Sequence, residues 1–208
     1  MIVRARRQAP VATYHFAVFV LTLLFETHSW SEDNERGIAT GWLPGALSTR
    51  GRELAREMGA RHRDSNLAAV FTSDLGRAVE TATIAFSSSA IPILKDARLR
   101  ECDFGDLNGR PVALHEGRRA TFTERPYPNG QSYRQVQEQV RSFLLDLMRD
   151  YEGQTVLAIG HAATRWSLDA LLLGRPLERS VDAPFNWQPG WTYRLTADHL
   201  RRLASTSS

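Results

Sequence analysis

Cysteine and lysine are nearly missing from this chain of 208 residues, in which Cys102 is the only cysteine and Lys95 the only lysine. A single cysteine cannot form an internal disulfide, which favours a reducing compartment such as the cytoplasm. Arginine therefore carries almost all of the positive charge, and its planar fork suits phosphate oxygens. Genomic base content is the simpler explanation of this composition. The arginines are scattered without a nucleic-acid-binding motif, so we expect no nucleic-acid partner.

The chain also has little continuous apolar sequence near its start. The run at residues 16–25 has ten residues, whereas a membrane-spanning helix needs about 20. Basic residues precede it, as in a secretory signal, but no small-residue cleavage site follows, and its β-branched and aromatic side chains favour a buried central strand. We expect residues 1–14 to form a flexible extension, residues 15–204 a single domain, and the chain to have no membrane partner. A membrane anchor is the alternative.

Strands alternate with helices along the rest of the chain. Apolar segments predict strands at residues 67–72, 91–94, 155–160 and 191–195, the last paired with residues 200–203. Helical spacing predicts helices at 49–63 (capped by Ser48 or Thr49), after a cap at Ser73, after residue 130, and at 163–173. Residues 31–47 are predicted as a loop and 111–130 as irregular. This order predicts a three-layer α/β/α sandwich with a mainly parallel sheet.

Three predicted strand-to-helix junctions each place a chemically notable residue at the sheet edge where functional sites lie in such folds. His28 ends the first strand, Arg77 lies in the opening turns of the helix after the second, and His161 ends the strand at 155–160. Helix N-termini at these junctions favour a bound phosphate because their N–H groups are free. The sequence therefore predicts an anion site built from two histidines and one arginine.

A phosphomonoester carries about two negative charges at neutral pH, which repel an anionic nucleophile. A neutral imidazole avoids this repulsion, so His28 is the candidate nucleophile, with Arg77 and His161 balancing the phosphoryl charge. Glu101 is the best-placed proton donor for the leaving group, although Asp103 and Asp106 share its loop. No His, Cys or carboxylate cluster has metal-ligand spacing, and we expect neither a metal nor another cofactor.

Five segments, in order, resemble the histidine phosphatase (phosphoglycerate mutase-like) superfamily. The segment FETHSWSEDN (25–34) resembles the family's Arg-His-Gly-Glu-Thr-x-x-Asn signature, and GWLPGALSTRG (41–51) resembles its GWxDxxLTxxG segment. TSDLGRAVETA (72–82) is similar to SSDLxRAxQTA, LRECDFGDLNG (99–109) to LREIDFGxWEG, and IGHAA (159–163) stands where the family has SHGG. Any one match is weak alone, and their number and order carry the resemblance.

The resemblance implies a phosphohistidine mechanism. It makes His28 the phosphorylated nucleophile, Arg77 a phosphate clamp, Glu101 the general acid and His161 the second pocket histidine, with Asn34 lining the pocket. The expected substrate is a small phosphorylated metabolite. The short region between residues 109 and 130 resembles the family's phosphatases more than its mutases, so hydrolysis is favoured over phosphoryl transfer between hydroxyls. A homodimer is compatible with the sequence, which does not specify the oligomeric state.

The chain departs from the family pattern at three positions of the phosphate pocket. Thr27 stands where the family has an arginine, and Ser29 and Ala162 stand where it has glycines. One hypothesis is that Arg36 or Arg165 replaces the lost guanidinium. Activity is favoured over a catalytically impaired phospho-ligand or partner-binding protein, and a mutase is the third alternative.

A few further residues carry predictions outside the motifs. The histidines without a motif are predicted to lie at the surface: His15, His62, His115 and His199. As a weaker alternative, His115 with Arg118 and Arg119 recognises substrate from the variable segment. The tryptophans are predicted to be packing groups, except that Trp30, which follows the nucleophile, could flank a substrate.

Overall fold

The structure is a computed structural model that describes residues 20–205. The strands are β1 (Val20–Thr27), β2 (Ile38–Ala39), β3 (Leu67–Thr72), β4 (Ile93–Lys95), β5 (Arg110–Pro111), β6 (Thr155–Gly160) and β7 (Trp191–Thr196). The α-helices are α1 (Glu32–Arg36), α2 (Thr49–Arg61), α3 (Gly76–Phe86), α4 (Tyr133–Asp150), α5 (Ala162–Leu173), α6 (Leu177–Asp182) and α7 (Ala197–Ser205). The predicted extension at residues 1–14, His15 and the start of the predicted first strand lie outside the described residues.

Five strands form the central sheet, in the order β4-β3-β6-β1-β7. β4, β3, β6 and β1 run parallel to one another, and β7 pairs antiparallel with β1 at one edge. The short strands β2 and β5 form a separate pair. The predicted mainly parallel sheet with helices on both faces is thus confirmed.

Strand β6 shows why helices cover both faces of the sheet. Its side chains alternate between the two faces, as successive side chains of a strand must. Val156 and Ala158 pack in the larger core with α4 and α5, whereas Leu157 and Ile159 pack in the smaller core with α2 and α3. All four side chains are fully buried, which explains the continuous apolar sequence of this strand.

Several predicted boundaries agree with the structure. β3 and β6 occupy the predicted residues, and Ser48 caps α2 by accepting a hydrogen bond from the Gly51 N–H at 3.1 Å. The prediction that Ser73 caps the next helix is wrong by two residues, because α3 begins at Gly76 with Leu75 at the cap position. Ser73 Oγ instead accepts the Leu75 N–H at 3.3 Å and so supports the turn that leads into the helix.

Two predictions about connecting segments are wrong. Residues 200–203 do not pair with β7, because they lie in α7, where Leu200 and Leu203 are one helical turn apart and face the core. β7 pairs with β1 instead. The predicted loop at residues 31–47 contains α1 and β2, and α1 is held by a capping box between Ser31 and Asn34.

Candidate active site

The register of two parallel strands brings His28 and His161 together. Thr27, the last residue of β1, lies opposite Gly160, the last residue of β6. The backbone N–H of His28 continues this pairing by donating to the Gly160 carbonyl at 2.9 Å. The residues that follow the two strands are therefore neighbours, and their imidazole centroids lie 5.0 Å apart. Two histidines 133 positions apart in the sequence thus meet at the carboxyl edge of the sheet, as predicted.

The hydrogen bonds of His28 define its tautomer. Its Nδ1 lies 2.7 Å from the carbonyl oxygen of Ser29. A carbonyl oxygen can only accept, so Nδ1 carries the proton and Nε2 of the neutral ring carries a lone pair. Arg77 Nε donates to that Nε2 at 3.3 Å. The lone pair of the His28 ring is therefore on Nε2, the atom that faces the arginine, and this is the tautomer that a nucleophilic Nε2 requires.

His28 stays neutral over the physiological pH range. Burial, which is the larger cause, and the nearby positive charge of Arg77 together lower its pKa to about 3, against the opposing effect of the hydrogen bond to Ser29. Burial, Arg77 and His28 together also lower the pKa of His161 well below its ordinary value. Both imidazoles are uncharged at neutral pH, so neither loses its lone pair to a proton.

Arg77 links the two imidazoles. Its side chain is only 2% exposed, and Nη2 lies 3.0 Å from the Gly41 carbonyl and 3.2 Å from Nδ1 of His161. Arginine can only donate, so Nδ1 of His161 accepts, and Nε2 of the neutral His161 ring carries the proton. That Nε2 is buried and has no protein hydrogen-bond partner, and the same is true of Nη1 of Arg77. A buried donor without a partner costs about 1–3 kcal/mol, and an anion would satisfy such donors.

Glu101 completes the group. Its Oε1 accepts hydrogen bonds from the backbone N–H of Cys102 at 2.8 Å and of Ala163, in the first turn of α5, at 3.3 Å. Burial raises the pKa of Glu101, while these N–H groups and Arg77 oppose the rise. A raised pKa keeps more of the carboxyl group protonated, as a proton donor needs. Asp103 and Asp106 are hydrogen bonded to Asn108 and Asn129, and neither lines the cavity described below.

The remaining predicted phosphate-pocket residues also lie at this edge of the sheet. Thr27, Ser29, Asn34 and Ala162 line the same cavity as His28, His161 and Glu101. The Ser29 N–H donates to Thr81 Oγ1 at 3.0 Å, which ties the loop after β1 to α3. Asn34 Oδ1 is occupied by the Ser31 cap of α1 at 2.9 Å. Arg77 contacts both imidazoles but is not among the residues that line the cavity.

Gly51 explains how α2 packs against the loop after β1. A Cβ atom at this position would lie 1.8 Å from the backbone oxygen of Trp30. That oxygen accepts the Ser48 N–H at 3.1 Å. Only glycine allows the first turn of α2 to approach the backbone two residues after His28 so closely.

The sequence of the chain matches a family model. The model of the histidine phosphatase superfamily (branch 1) covers residues 24–201. The chain belongs to this superfamily. The site described above lies entirely within the matched residues, so the superfamily assignment covers all of its candidate residues.

The relatives of this chain within the histidine phosphatase superfamily include proteins named as phosphatases and proteins named as mutases. A putative phosphoserine phosphatase 2 from Hydrogenobacter thermophilus is 29% identical over 159 residues, 73% of this chain and 78% of that protein. A 2,3-bisphosphoglycerate-dependent phosphoglycerate mutase from Chelativorans sp. is 31% identical over 194 residues, 85% of this chain and 93% of that protein. The solved structure of Bacillus stearothermophilus YhfR has a TM-score of 0.73 at 28% identity, over 83% of this chain and 90% of that chain.

The cavity of this histidine phosphatase superfamily member has a volume of about 670 Å³, and much of its lining was missed from sequence. Trp30 lines it, as the sequence suggested, and so do Trp166, Phe185 and Trp187. Arg50 and Arg61 on α2 add cationic side chains to the lining, and so does Arg119, the first residue of the 3₁₀ turn Arg119–Phe122, which the weaker sequence alternative had named as a substrate contact. No sequence motif marks these residues, because they come from helix faces and irregular segments.

Three sequence-based hypotheses about charged residues are wrong. Arg36 and Arg165 do not replace the family arginine, because each pairs with an acidic residue on its own helix, Asp33 and Asp169, and neither lines the cavity. His62 is not a free surface residue, since its Nε2 lies 2.9 Å from Oε1 of the buried Glu26. His115 is 1% exposed and packs 4.6 Å from the Phe104 ring.

Within residues 20–205, no group of three or more His, Cys, Asp or Glu side chains could hold a metal ion. The helices of this part of the chain include none with the length and apolar character that crossing a bilayer requires.

Proposed function

We propose that this chain is a metal-independent phosphomonoester hydrolase that acts on a small phosphorylated metabolite through a phosphohistidine at His28. The observation that carries the proposal is the unprotonated Nε2 of a neutral His28, held 3.3 Å from the Arg77 guanidinium and beside a second neutral imidazole. A neutral nucleophile between a permanent cation and a neutral N–H donor suits attack on a dianion.

In the proposed first step, the Nε2 lone pair of His28 forms a bond to phosphorus as the bond from phosphorus to the ester oxygen breaks. The Arg77 Nε–H, which donates to Nε2 in the free site, would donate its hydrogen bond to a phosphoryl oxygen instead. The unpartnered His161 Nε2–H would donate to another phosphoryl oxygen. The leaving alkoxide takes the proton of Glu101. The phosphorylated ring is cationic, and its Nδ1–H stays bonded to the Ser29 carbonyl.

In the proposed second step, water attacks phosphorus. The Glu101 carboxylate accepts a proton from that water, the bond between nitrogen and phosphorus breaks, and Nε2 regains its lone pair. Inorganic phosphate leaves, and Glu101 is again protonated for the next cycle. The roles of Thr27, Ser29, Asn34 and Ala162 are to line the phosphate end of the cavity, which their position supports.

A test of the proposal compares wild type with His28→Ala and with the control His199→Gln, whose side chain lies outside the cavity. Wild type and the control should release phosphate from 4-nitrophenyl phosphate at a rate that a chelator does not change. With the same substrate labelled with ³²P, both proteins should acquire a covalent label that acid removes. His28→Ala should do neither. Equal background rates for all three proteins would favour a phospho-ligand-binding protein instead, and loss of activity with a chelator would contradict the metal-independent mechanism.

A mutase-type phosphotransferase is the second candidate, because the Chelativorans relative that is 31% identical has a mutase name. The same phosphohistidine would then be transferred to a second hydroxyl rather than to water. Incubation with ³²P-labelled monoester and an unlabelled alcohol acceptor separates the two: a hydrolase releases labelled phosphate, whereas a mutase labels the acceptor.

A further inference from the structure

The aromatic side chains around the cavity are arranged in a way that the phosphohistidine chemistry does not explain. Among the described residues, the exposed large aromatic side chains are Trp30 (39% exposed), Phe185 (37%) and Trp187 (50%). All three line the cavity that contains His28. They come from two distant segments, the loop after β1 and the segment between α6 and β7. Exposed apolar groups that converge on one concave site usually mark a binding surface.

Three of the four aromatic rings that line the cavity are held in place by their neighbours. Phe185 lies 6.3 Å from the Trp166 ring and 6.1 Å from the Trp191 ring, at angles of 74° and 54°. The guanidinium groups of Arg50 and Arg119 lie 5.8 and 5.9 Å from the centres of Trp30 and Trp166. Such ring and cation–π contacts restrict the orientation of Trp30, Trp166 and Phe185 before a ligand binds. Leu54, Met58 and Val112 add aliphatic surface to the same cavity.

The cavity is also much larger than a phosphate group needs. Its volume of about 670 Å³ is typical of sites that enclose a whole small organic molecule. His28, His161 and Glu101 occupy the phosphate end, so the aromatic and aliphatic side chains are left to contact the alcohol part of the substrate.

We propose that the substrates of this site are phosphomonoesters whose alcohol carries an aromatic ring, which packs against Trp30, Trp166, Phe185 and Trp187. This inference rests on the proposed function, since it assigns the alcohol part of the same substrate. An aromatic ring fits because offset or edge-on contacts with fixed rings add to the burial of apolar area. A small polar alcohol would leave these side chains exposed to water.

The test compares alkyl phosphates whose leaving groups are equally basic, so that intrinsic reactivity does not differ. The three substrates are propyl phosphate, 3-phenylpropyl phosphate and 3-cyclohexylpropyl phosphate. We expect kcat/KM of wild type for the phenyl substrate to exceed that for propyl phosphate by about 10–100-fold, the effect of burying one phenyl side chain. The phenyl substrate should exceed the cyclohexyl substrate by about 2–10-fold through ring–ring contacts. Equal values for all three substrates, or for the two cyclic ones, would overturn the inference.

Variants then test whether the preference for the phenyl substrate comes from the aromatic wall, which consists of Trp30, Trp166, Phe185 and Trp187. The double variant Phe185→Ala, Trp187→Ala should reduce the phenyl-to-propyl ratio to below about threefold, since it removes two of the ring contacts. Leu173→Ala is the matched control, because Leu173 is 53% exposed but lies outside this cavity. Its ratio should equal that of wild type. An unchanged ratio in the double variant would contradict the assignment of the wall.

Binding of phosphonate analogues keeps this inference separate from the proposed function. If no substrate is hydrolysed, the proposed function fails, and calorimetric titration with propylphosphonate and 3-phenylpropylphosphonate decides the present question. At least tenfold tighter binding of the phenyl compound, lost in the double variant, supports the aromatic subsite. Equal affinities, or no binding of either compound, would overturn it.

Discussion

Replacement of Arg77 is the sharpest perturbation of this site, because one side chain contacts both imidazoles. Arg77→Met keeps an unbranched side chain in a position that is only 2% exposed, and removes the guanidinium that donates to His28, His161 and the Gly41 carbonyl. Removing one preorganised donor from a developing charge typically costs about 10²–10³ in kcat, or about 2.7–4 kcal/mol. We expect a loss in this range for the release of phosphate.

A second readout separates this electrostatic role from a merely structural one. Arg77 is the second-largest cause of the lowered pKa of His28, after burial. In Arg77→Met the pKa of His28 should therefore rise above about 3, yet stay below its ordinary value, since burial persists. Titration of ¹⁵N-labelled histidine by NMR measures this shift. Arg77→Lys retains the charge but not the fork, so it should recover only part of the rate.

Arg149→Met is the control for loss of an arginine, since Arg149 lies on α4, pairs with Asp146 and Asp150, and does not line the cavity. It should match wild type in both readouts. The reasoning is refuted if Arg77→Met folds, keeps kcat within about threefold of wild type, and leaves the pKa of His28 unchanged.

Two further predictions follow from the other perturbed groups. Glu101→Gln should lower kcat/KM, which reports formation of the phosphohistidine and not its hydrolysis, by about 10²–10⁴ for propyl phosphate and much less for 4-nitrophenyl phosphate, whose leaving group needs no proton. Because burial raises the pKa of Glu101, wild-type kcat/KM for propyl phosphate should fall as pH rises through that pKa while the variant stays flat. Equal losses of kcat/KM on both substrates would contradict the role of Glu101 as proton donor. The lowered pKa of His28 means that the unfolded chain binds the proton first as pH falls, so His28 stabilises the fold above pH 6.5 and that contribution is lost between 6.5 and about 3. Urea unfolding should show about 2 kcal/mol more loss from pH 7 to pH 5 in wild type than in His28→Asn, and parallel losses would exclude this linkage.

The sequence predicted the positions of those site residues that directly follow a strand or begin a helix. A buried apolar strand ends at a definite residue, so His28 after β1 and His161 after β6 could be placed at one sheet edge without coordinates. The first turn of α3 placed Arg77 in the same way. These positions follow from the sheet topology, which the alternation of strands and helices indicates.

The aromatic wall could not be predicted by the same means. Phe185 and Trp187 lie in an irregular segment without periodicity, so nothing in the sequence indicated which way it folds. The two arginines proposed as replacements failed for a local reason, since acidic residues three and four positions away on the same helices bind them. Residues 200–203 were misassigned because a segment of four residues is too short to establish a periodicity, although the spacing of three between its two leucines is that of a helix face.

Because Thr27 pairs with Gly160, the length and register of β1 set the distance between His28 and His161. Each residue of a strand advances the chain by about 3.3 Å and reverses the face to which side chains point. A slip or deletion of a single residue anywhere along β1 would carry His28 away from His161 by about that distance, or would turn its ring to the opposite face of the sheet. Core residues such as Leu21 and Leu23, which are buried and do not line the cavity, thereby fix the position of the proposed nucleophile.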